Sequence, residues 1–212
     1  MPIIFSDNFT DTNGTVLSAH TPSVGVSWNP ITNGNSGTIN SNRLRTPDSY
    51  VLVAYEAVAA SPIANGYVEA NWFNVNSGSD NDLQLFMCFA DSSNHYYVQW
   101  RMFTGFRDVR LYKRSGGVTT QLGSGYSTGT LTDSTFYTLR LTKSGAALSV
   151  QLGGATVISA TDGSPLSTAS HARIQLQSQF GTVAVIDDFS VNSEGLTSTP
   201  AFGRYGVRGP VR

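Results

Sequence analysis

Apolar and polar residues alternate along most of this chain, and they do so in short runs. In the run 83–89, Leu83, Leu85, Met87 and Phe89 share one face. After the turn Asp91-Ser-Ser-Asn94, the run 96–102 sends Tyr96, Val98, Trp100 and Met102 inward and Tyr97, Gln99 and Arg101 outward. The pattern returns in 108–113, in 118–122 behind a Ser-Gly-Gly turn, and in 136–142 through Tyr137, Leu139 and Leu141. Past the tight turn Lys143-Ser-Gly145 it continues through Leu148, Val150 and Leu152, and β-rich runs at 67–75, 172–178 and 183–191 complete the set. A period of two, bounded by Gly, Ser and Asn, predicts half-buried antiparallel strands. No run carries the 3.6-residue period of an amphipathic helix, and none repeats at solenoid spacing. The expectation is one all-β domain over 1–192, an antiparallel two-sheet jelly-roll sandwich.

The two ends of that domain resemble each other. Asp7-Asn-Phe9 lies in the opening segment Phe5–Trp28, and Asp187-Asp-Phe189 lies in the run Val185–Val191. Each sets a Phe behind a polar or acidic pair. Because the ends of a domain commonly lie close together, the first and last strands are expected to be neighbours in one sheet. Strict alternation would then point Asp187 and Asp188 to opposite faces.

Composition narrows the function classes. The chain has 212 residues, enough to bury a large core without disulfides. Its single cysteine, Cys88, sits in the apolar run Leu-Phe-Met-Cys-Phe and reads as a small buried hydrophobe. The start Met-Pro-Ile-Ile has no basic n-region and no long apolar core, so no signal peptide is expected. No stretch reaches the length of a membrane span, and assembly in the cytoplasm is the expectation. A net charge of -1 argues against general nucleic-acid binding, which depends on phosphate neutralisation.

The order of elements resembles the concanavalin A-like, laminin-G-like jelly roll. The opening Asp7–Pro22, the paired segments Tyr96–Arg101 and Arg110–Gly117, and the hairpin Tyr137–Gly154 before Thr161-Asp-Gly163 resemble lectin-like domains of tailed-phage and other microbial proteins. The resemblance covers about residues 3 to 192 and implies the fold more strongly than the activity, since this scaffold hosts lectins, glycosidases and structural modules.

The glucanases of this fold carry two Glu flanking an Asp on one strand. Here Glu56, Glu69 and Glu194 are far apart, and Asn71 and Phe73 occupy the positions that would follow Glu69 on its face. His20, His95 and His171 fall in or near loops without metal-ligand spacing, and there is no Gly-x-Ser-x-Gly elbow. The chain reads as a non-enzyme, with a glycoside hydrolase the least favoured function.

Two binding surfaces remain. The resemblance implies one concave sheet whose outward face supplies a ligand groove. Here that face would carry Tyr97, Gln99, Arg101, Arg110, Tyr112, Arg173, Gln175 and Gln177. These residues suit a sugar, and equally suit a solvated face stabilised by cross-strand pairs. Asp7 and Asp188, if brought together by paired terminal strands, could hold a structural calcium; no other cofactor is expected.

The second surface is a basic tail over 193–212. After a linker over 193–200 come Phe202, Arg204, Tyr205, Arg208 and Arg212, with no acid among residues 201–212. A Gly-rich basic end of this kind is expected to order only against neighbouring subunits, with the aromatics as anchors and the arginines pairing with acidic groups. The sequence thus favours a structural protein of a phage virion. It would decorate or cement the capsid or sit in a fibre or tail component, as a homo-oligomer or against other virion subunits. The alternative is a lectin-like module that attaches to cell-surface glycans.

Overall fold

The computed structural model describes residues 2–31, 37–47, 52–59, 61–74, 81–103, 105–132, 134–166, 171–178 and 183–194. In chain order the strands are Ile3–Asp7 (β1), Ser27–Pro30 (β2), Thr38–Ile39 (β3), Leu44–Arg45 (β4) and Leu52–Val58 (β5). Gly66–Asn74 (β6), Asn81–Asp91 (β7), Asn94–Phe103 (β8), Phe106–Ser115 (β9) and Val118–Ser127 (β10) follow. The last are Thr135–Ser144 (β11), Ala147–Leu152 (β12), Ala155–Thr161 (β13), His171–Ser178 (β14) and Val185–Ser193 (β15). They form two sheets in which every pairing is antiparallel. One runs β10-β9-β8-β7-β14-β5-β2, the other β13-β12-β11-β6-β15-β4-β3, with β1 also on β15. This is the two-layer jelly-roll sandwich that the alternation predicts.

The inward positions are those the period of two selects. Leu83, Leu85, Tyr96, Val98, Trp100, Val109, Leu111, Ile174 and Leu176 from the first sheet are buried against Val68, Trp72, Leu139, Leu141, Val150 and Val191 from the second. Burying a side chain of this size contributes about 1.5–3 kcal/mol, which offsets the chain entropy lost in ordering the strands.

The first and last strands are neighbours, as expected from their likeness. Asp7 stands opposite Phe189 and Phe5 opposite Val191. Phe5, Phe9 and Phe189 surround the indole of Trp28, with ring centroids 4.8, 6.0 and 5.1 Å from it. Aromatic pairs of this kind contribute about 0.5–1.5 kcal/mol beyond the area they bury.

Asp7, buried beside this cluster, is a hub. Its Oδ2 accepts from Trp28 Nε1 at 2.5 Å, and its Oδ1 accepts from the Phe9 amide at 2.7 Å. His20 bridges it to Asp11, with Nε2 2.9 Å from Asp7 Oδ1 and Nδ1 2.9 Å from Asp11 Oδ2. A carboxylate only accepts, so this geometry asks both ring nitrogens to donate and the ring to be an imidazolium. Burial opposes that charge, but the hydrogen bonds to Asp11 and Asp7 outweigh it and raise the pKa of His20. His20 is thus a buried clip that fixes the segment after β1.

The alternation is broken by several β-bulges among the described residues, and two of them reset side chains named above. Between the pairs Arg173↔Phe86 and His171↔Phe89, Met87 and Cys88 together oppose Ala172. Cys88 takes φ 51°, and both side chains go into the core. Phe89 therefore turns outward, away from the face that Leu83, Leu85 and Met87 share. In β15, Asp188 takes φ 47° between the buried Ile186 and Phe189. Asp187 and Asp188 consequently both face outward, where Arg43 Nε lies 3.4 Å from Asp187 and Asn71 donates to Asp188 at 3.1 Å. A bulge inserts one residue and so resets which face the next side chains occupy.

Candidate functional site

The outward face of the first sheet gathers the residues singled out from the sequence. Register places Tyr112, Tyr97, Phe86, Arg173 and Glu56 side by side across β9, β8, β7, β14 and β5. The next row is Arg110, Gln99, Gln84 and Gln175, and the one after is Asp108, Arg101, Asp82 and Gln177. Neighbours in each row are about one strand spacing, roughly 4.8 Å, apart. All of the predicted face residues, from Tyr97 to Gln177, are on this surface. The central strand β7 adds Asp82, Gln84 and Phe86, which the sequence reading missed. Their signal is the polar or aromatic residue at each position between the core residues Leu83, Leu85 and Met87.

The aromatic rings stand on edge. Tyr97 stacks on Tyr112 at 4.9 Å and 21° on one side and on Phe86 at 5.4 Å and 23° on the other. Both faces of the Tyr97 ring are therefore taken, and what it offers outward is its rim and hydroxyl. Burial, reinforced by Tyr112, raises the pKa of that hydroxyl, so it remains a neutral donor. His95 and Phe89 extend the cluster, stacked at 5.2 Å and 28°. Phe89 belongs to it only because of the bulge at Cys88.

The polar part is arranged by arginine. Arg101 donates twice to Asp108, at 2.8 and 2.7 Å, and Arg110 Nε adds a third hydrogen bond at 2.8 Å. The Arg101 hydrogen bond above all holds the Asp108 carboxyl below its usual range. Asp82 differs. It is buried, its Oδ2 accepts from Gln99 Nε2 at 2.5 Å, and its Oδ1 has no hydrogen-bond partner among the described residues. Burial pushes its pKa up to about 6. The aspartates of this face are thus one clamped by guanidinium groups and one sequestered. Glu69, on the outward face of the other sheet, is paired with Arg140 at 2.6 Å.

Beside the rings lies a shallow depression of about 260 Å³, lined by Gln84, Tyr97, His95, Arg114, Arg173 and Gln175 among others. Arg173 lies over the rings of Phe86 and Phe89, 4.8 and 5.1 Å from their centroids, and donates to Gln175 at 2.8 Å.

The remaining candidates are distributed otherwise. Asp7 spends both oxygens on Trp28, Phe9 and His20, while Asp188 faces Asn71. The two carboxylates are not brought to one site, and the described residues contain no group of three or more His, Cys, Asp or Glu able to hold a metal. Phe202, Arg204, Tyr205, Arg208 and Arg212 lie outside the described residues. No helix among the described residues is long and apolar enough to cross a membrane.

No family model and no curated protein matches the sequence. Solved structures do match the fold. A carbohydrate-binding module, CBM66 from Bacillus subtilis, superposes with a TM-score of 0.58 at 15% identity, over 78% of this chain and 95% of that one. The exoplasmic/lumenal domain of VIP36 in its Ca2+/Man-bound form superposes with a TM-score of 0.62 at 13% identity, over 86% and 87%. The catalytic domain of an endo-1,3-beta-glucanase from Thermotoga petrophila does so with 0.59 at 11%, over 92% and 98%. The chain therefore has the concanavalin A/galectin-like jelly-roll fold, on which binding modules, lectin domains and glucanases are all built.

Proposed function

We propose that this domain is a non-catalytic saccharide-binding module, and that its ligand surface is the outward face of β9, β8, β7 and β14. The observation that carries the reading is the register itself. Tyr112, Tyr97, Arg110, Gln99, Gln84, Gln175 and Gln177 stand side by side on long central strands, where their positions are fixed before any ligand arrives. Amide, hydroxyl and guanidinium groups on a rigid sheet match the hydroxyl pattern of a sugar at little ordering cost. Carbohydrate-binding and lectin domains among the structural relatives support the same assignment. They favour it over the virion-structural role read from the sequence, whose proposed contacts lie in the tail.

The non-catalytic part rests on the carboxylates. Acid–base cleavage of a glycosidic bond uses two carboxyl groups flanking it. On this face Asp108 is neutralised by Arg101 and Arg110, and Asp82 is shielded from solvent. A glycan array with the intact protein, beside Tyr97→Ala and Gln99→Ala variants, tests the reading. Binding that both substitutions weaken at least tenfold is expected. Absence of any saccharide ligand, or binding indifferent to both changes, overturns it, and turnover of a bound glycan overturns the non-catalytic part.

A further inference from the structure

The depression beside the rings has a charge character that a neutral sugar does not explain. Two guanidinium groups flank it, and neither forms an ion pair with a carboxylate among the described residues. Arg114 Nε donates only to the Gly117 carbonyl, at 3.3 Å. Arg173 donates to the neutral amide oxygen of Gln175, and its Nε is buried without a partner. The acid across from Arg173 in register is Glu56, whose carboxylate lies 4.0 Å from His171 Nε2 and acts on Arg173 only through space. Three other arginines show the opposite pattern. Arg101, Arg110 and Arg140 are each paired to a carboxylate within 3 Å.

Holding an unpaired cation partly out of water is costly unless an anion completes it. The planar guanidinium fork matches the two oxygens of a carboxylate better than it matches a single hydroxyl. The other lining groups suit the rest of a sugar. His95 Nδ1 is 2.9 Å from the Asp91 carbonyl oxygen, an acceptor, so that nitrogen carries the proton and Nε2 is left as an acceptor for a hydroxyl. Burial lowers the pKa of His95 and keeps the ring neutral. Gln84 and Gln175, one row along from Arg173, offer amides, and Tyr97 offers its hydroxyl. The volume suits one sugar residue and not an extended chain.

We propose that this depression is the subsite for an acidic sugar, a uronate residue whose carboxylate is held between Arg173 and Arg114. This specificity rests on the saccharide-binding reading above and names the ligand class of that surface.

The test is calorimetric titration of the full chain with tri-galacturonate, its methyl ester, the neutral galactose trisaccharide and a sulfated galactose trisaccharide. Tri-galacturonate should bind, and more weakly as salt rises. Esterification, Arg173→Gln or Arg114→Gln should each cost at least tenfold in affinity, while Arg140→Gln on the other sheet should leave it unchanged. Arg114, on β9 near the turn, keeps the test open should Arg173→Gln fail to fold, with circular dichroism as the check. If the neutral trisaccharide binds as well as the acid and both arginine variants bind normally, the acid specificity is wrong while the saccharide reading stands. Preference for the sulfated sugar overturns the carboxylate assignment. Failure of all four probes in a protein that binds a neutral glycan on the array overturns the acid subsite alone. Failure of the array as well overturns both.

Discussion

The indole Nε1 of Trp28 donates to Oδ2 of Asp7 across 2.5 Å, inside the aromatic cluster that joins the opening segment to the last strand. An acceptor at this point satisfies a buried indole and orders the chain around it. The same carboxylate receives the Phe9 amide and His20, so one side chain fixes β1, the following turn and the start of β2.

Removing it should therefore be severe. Asp7→Ala strands the Trp28 indole and the His20 ring at once, and should cost about 3–5 kcal/mol. Asp7→Asn keeps an acceptor and should cost less. Urea denaturation followed by tryptophan fluorescence gives the order; equal losses for the two variants would show that packing, and not the hydrogen bonds, is at stake.

The His20 clip predicts a pH dependence with a definite sign. Its folded pKa is raised above the unfolded value near 6.5, so its contribution is complete below that pH and is lost as pH climbs through the folded pKa. Asp11 is lowered, chiefly by its hydrogen bond to His20, so its share is present above its unfolded pKa of 3.8 and lost as pH falls through the folded one. The clip is strongest between these limits. Melting temperature should fall from pH 6 to 8 by about 2–4 °C for each kcal/mol lost, and His20→Gln should flatten that slope.

Asp82 titrates in the opposite chemical sense. An acid whose folded pKa is pushed up to about 6 by burial stabilises the fold only while protonated, and that stability is lost as pH rises through 6. Asp82→Asn removes the ionisation and should make the domain more stable at pH 8, by about 3 kcal/mol, with little change at pH 4. Guanidinium melts at the two pH values decide it. A destabilised variant at pH 8 would mean that the carboxylate has a cationic partner.

Most of the architecture was legible because each strand obeys a period of two. The core positions of β8, β9 and β11, and the pairing of the terminal strands, can be read from Tyr96 to Met102 and from Asp7 beside Phe189. The strands β2, β3 and β4 carry too few alternating positions to announce themselves, and β5 breaks the alternation by burying Val53, Ala54 and Tyr55 in a row. Alternation alone points Phe89 inward because it has no term for an inserted residue, although a run of five apolar residues, Leu-Phe-Met-Cys-Phe, is where alternation visibly breaks. The face residues were legible as a set, but the mutual stacking of Tyr97, Phe86 and Tyr112 depends on strand order, which no local pattern encodes.

Two glycines separate backbone freedom from close approach. A Cβ at Gly66, where φ is 132°, would stand 1.9 Å from the Asn192 carbonyl oxygen on the neighbouring strand. At Gly145, with φ 59°, it would meet nothing within 4 Å. Gly145→Ala should cost about 1 kcal/mol from conformation alone. Gly66→Ala should cost several times that by forcing β6 and β15 apart. Similar unfolding midpoints for the two would contradict the close contact.

Cys88 should be silent toward thiol reagents in the native protein, since burial lifts its pKa to about 11 and leaves almost no thiolate at pH 8. Labelling with a chromogenic disulfide should appear only at the rate of unfolding. Rapid labelling of the folded domain would place the thiol at the surface.

The bulge at Cys88 also says how this surface can change over evolutionary time. A substitution alters one side chain and leaves every other where it was. Deleting the single residue Cys88 would exchange inside for outside for the end of β7, drawing Phe89 into the core and taking away one of the two rings over which Arg173 lies. Which side chains this face presents is thus written in chain length as much as in residue identity, and a chain one residue shorter here would present a different surface.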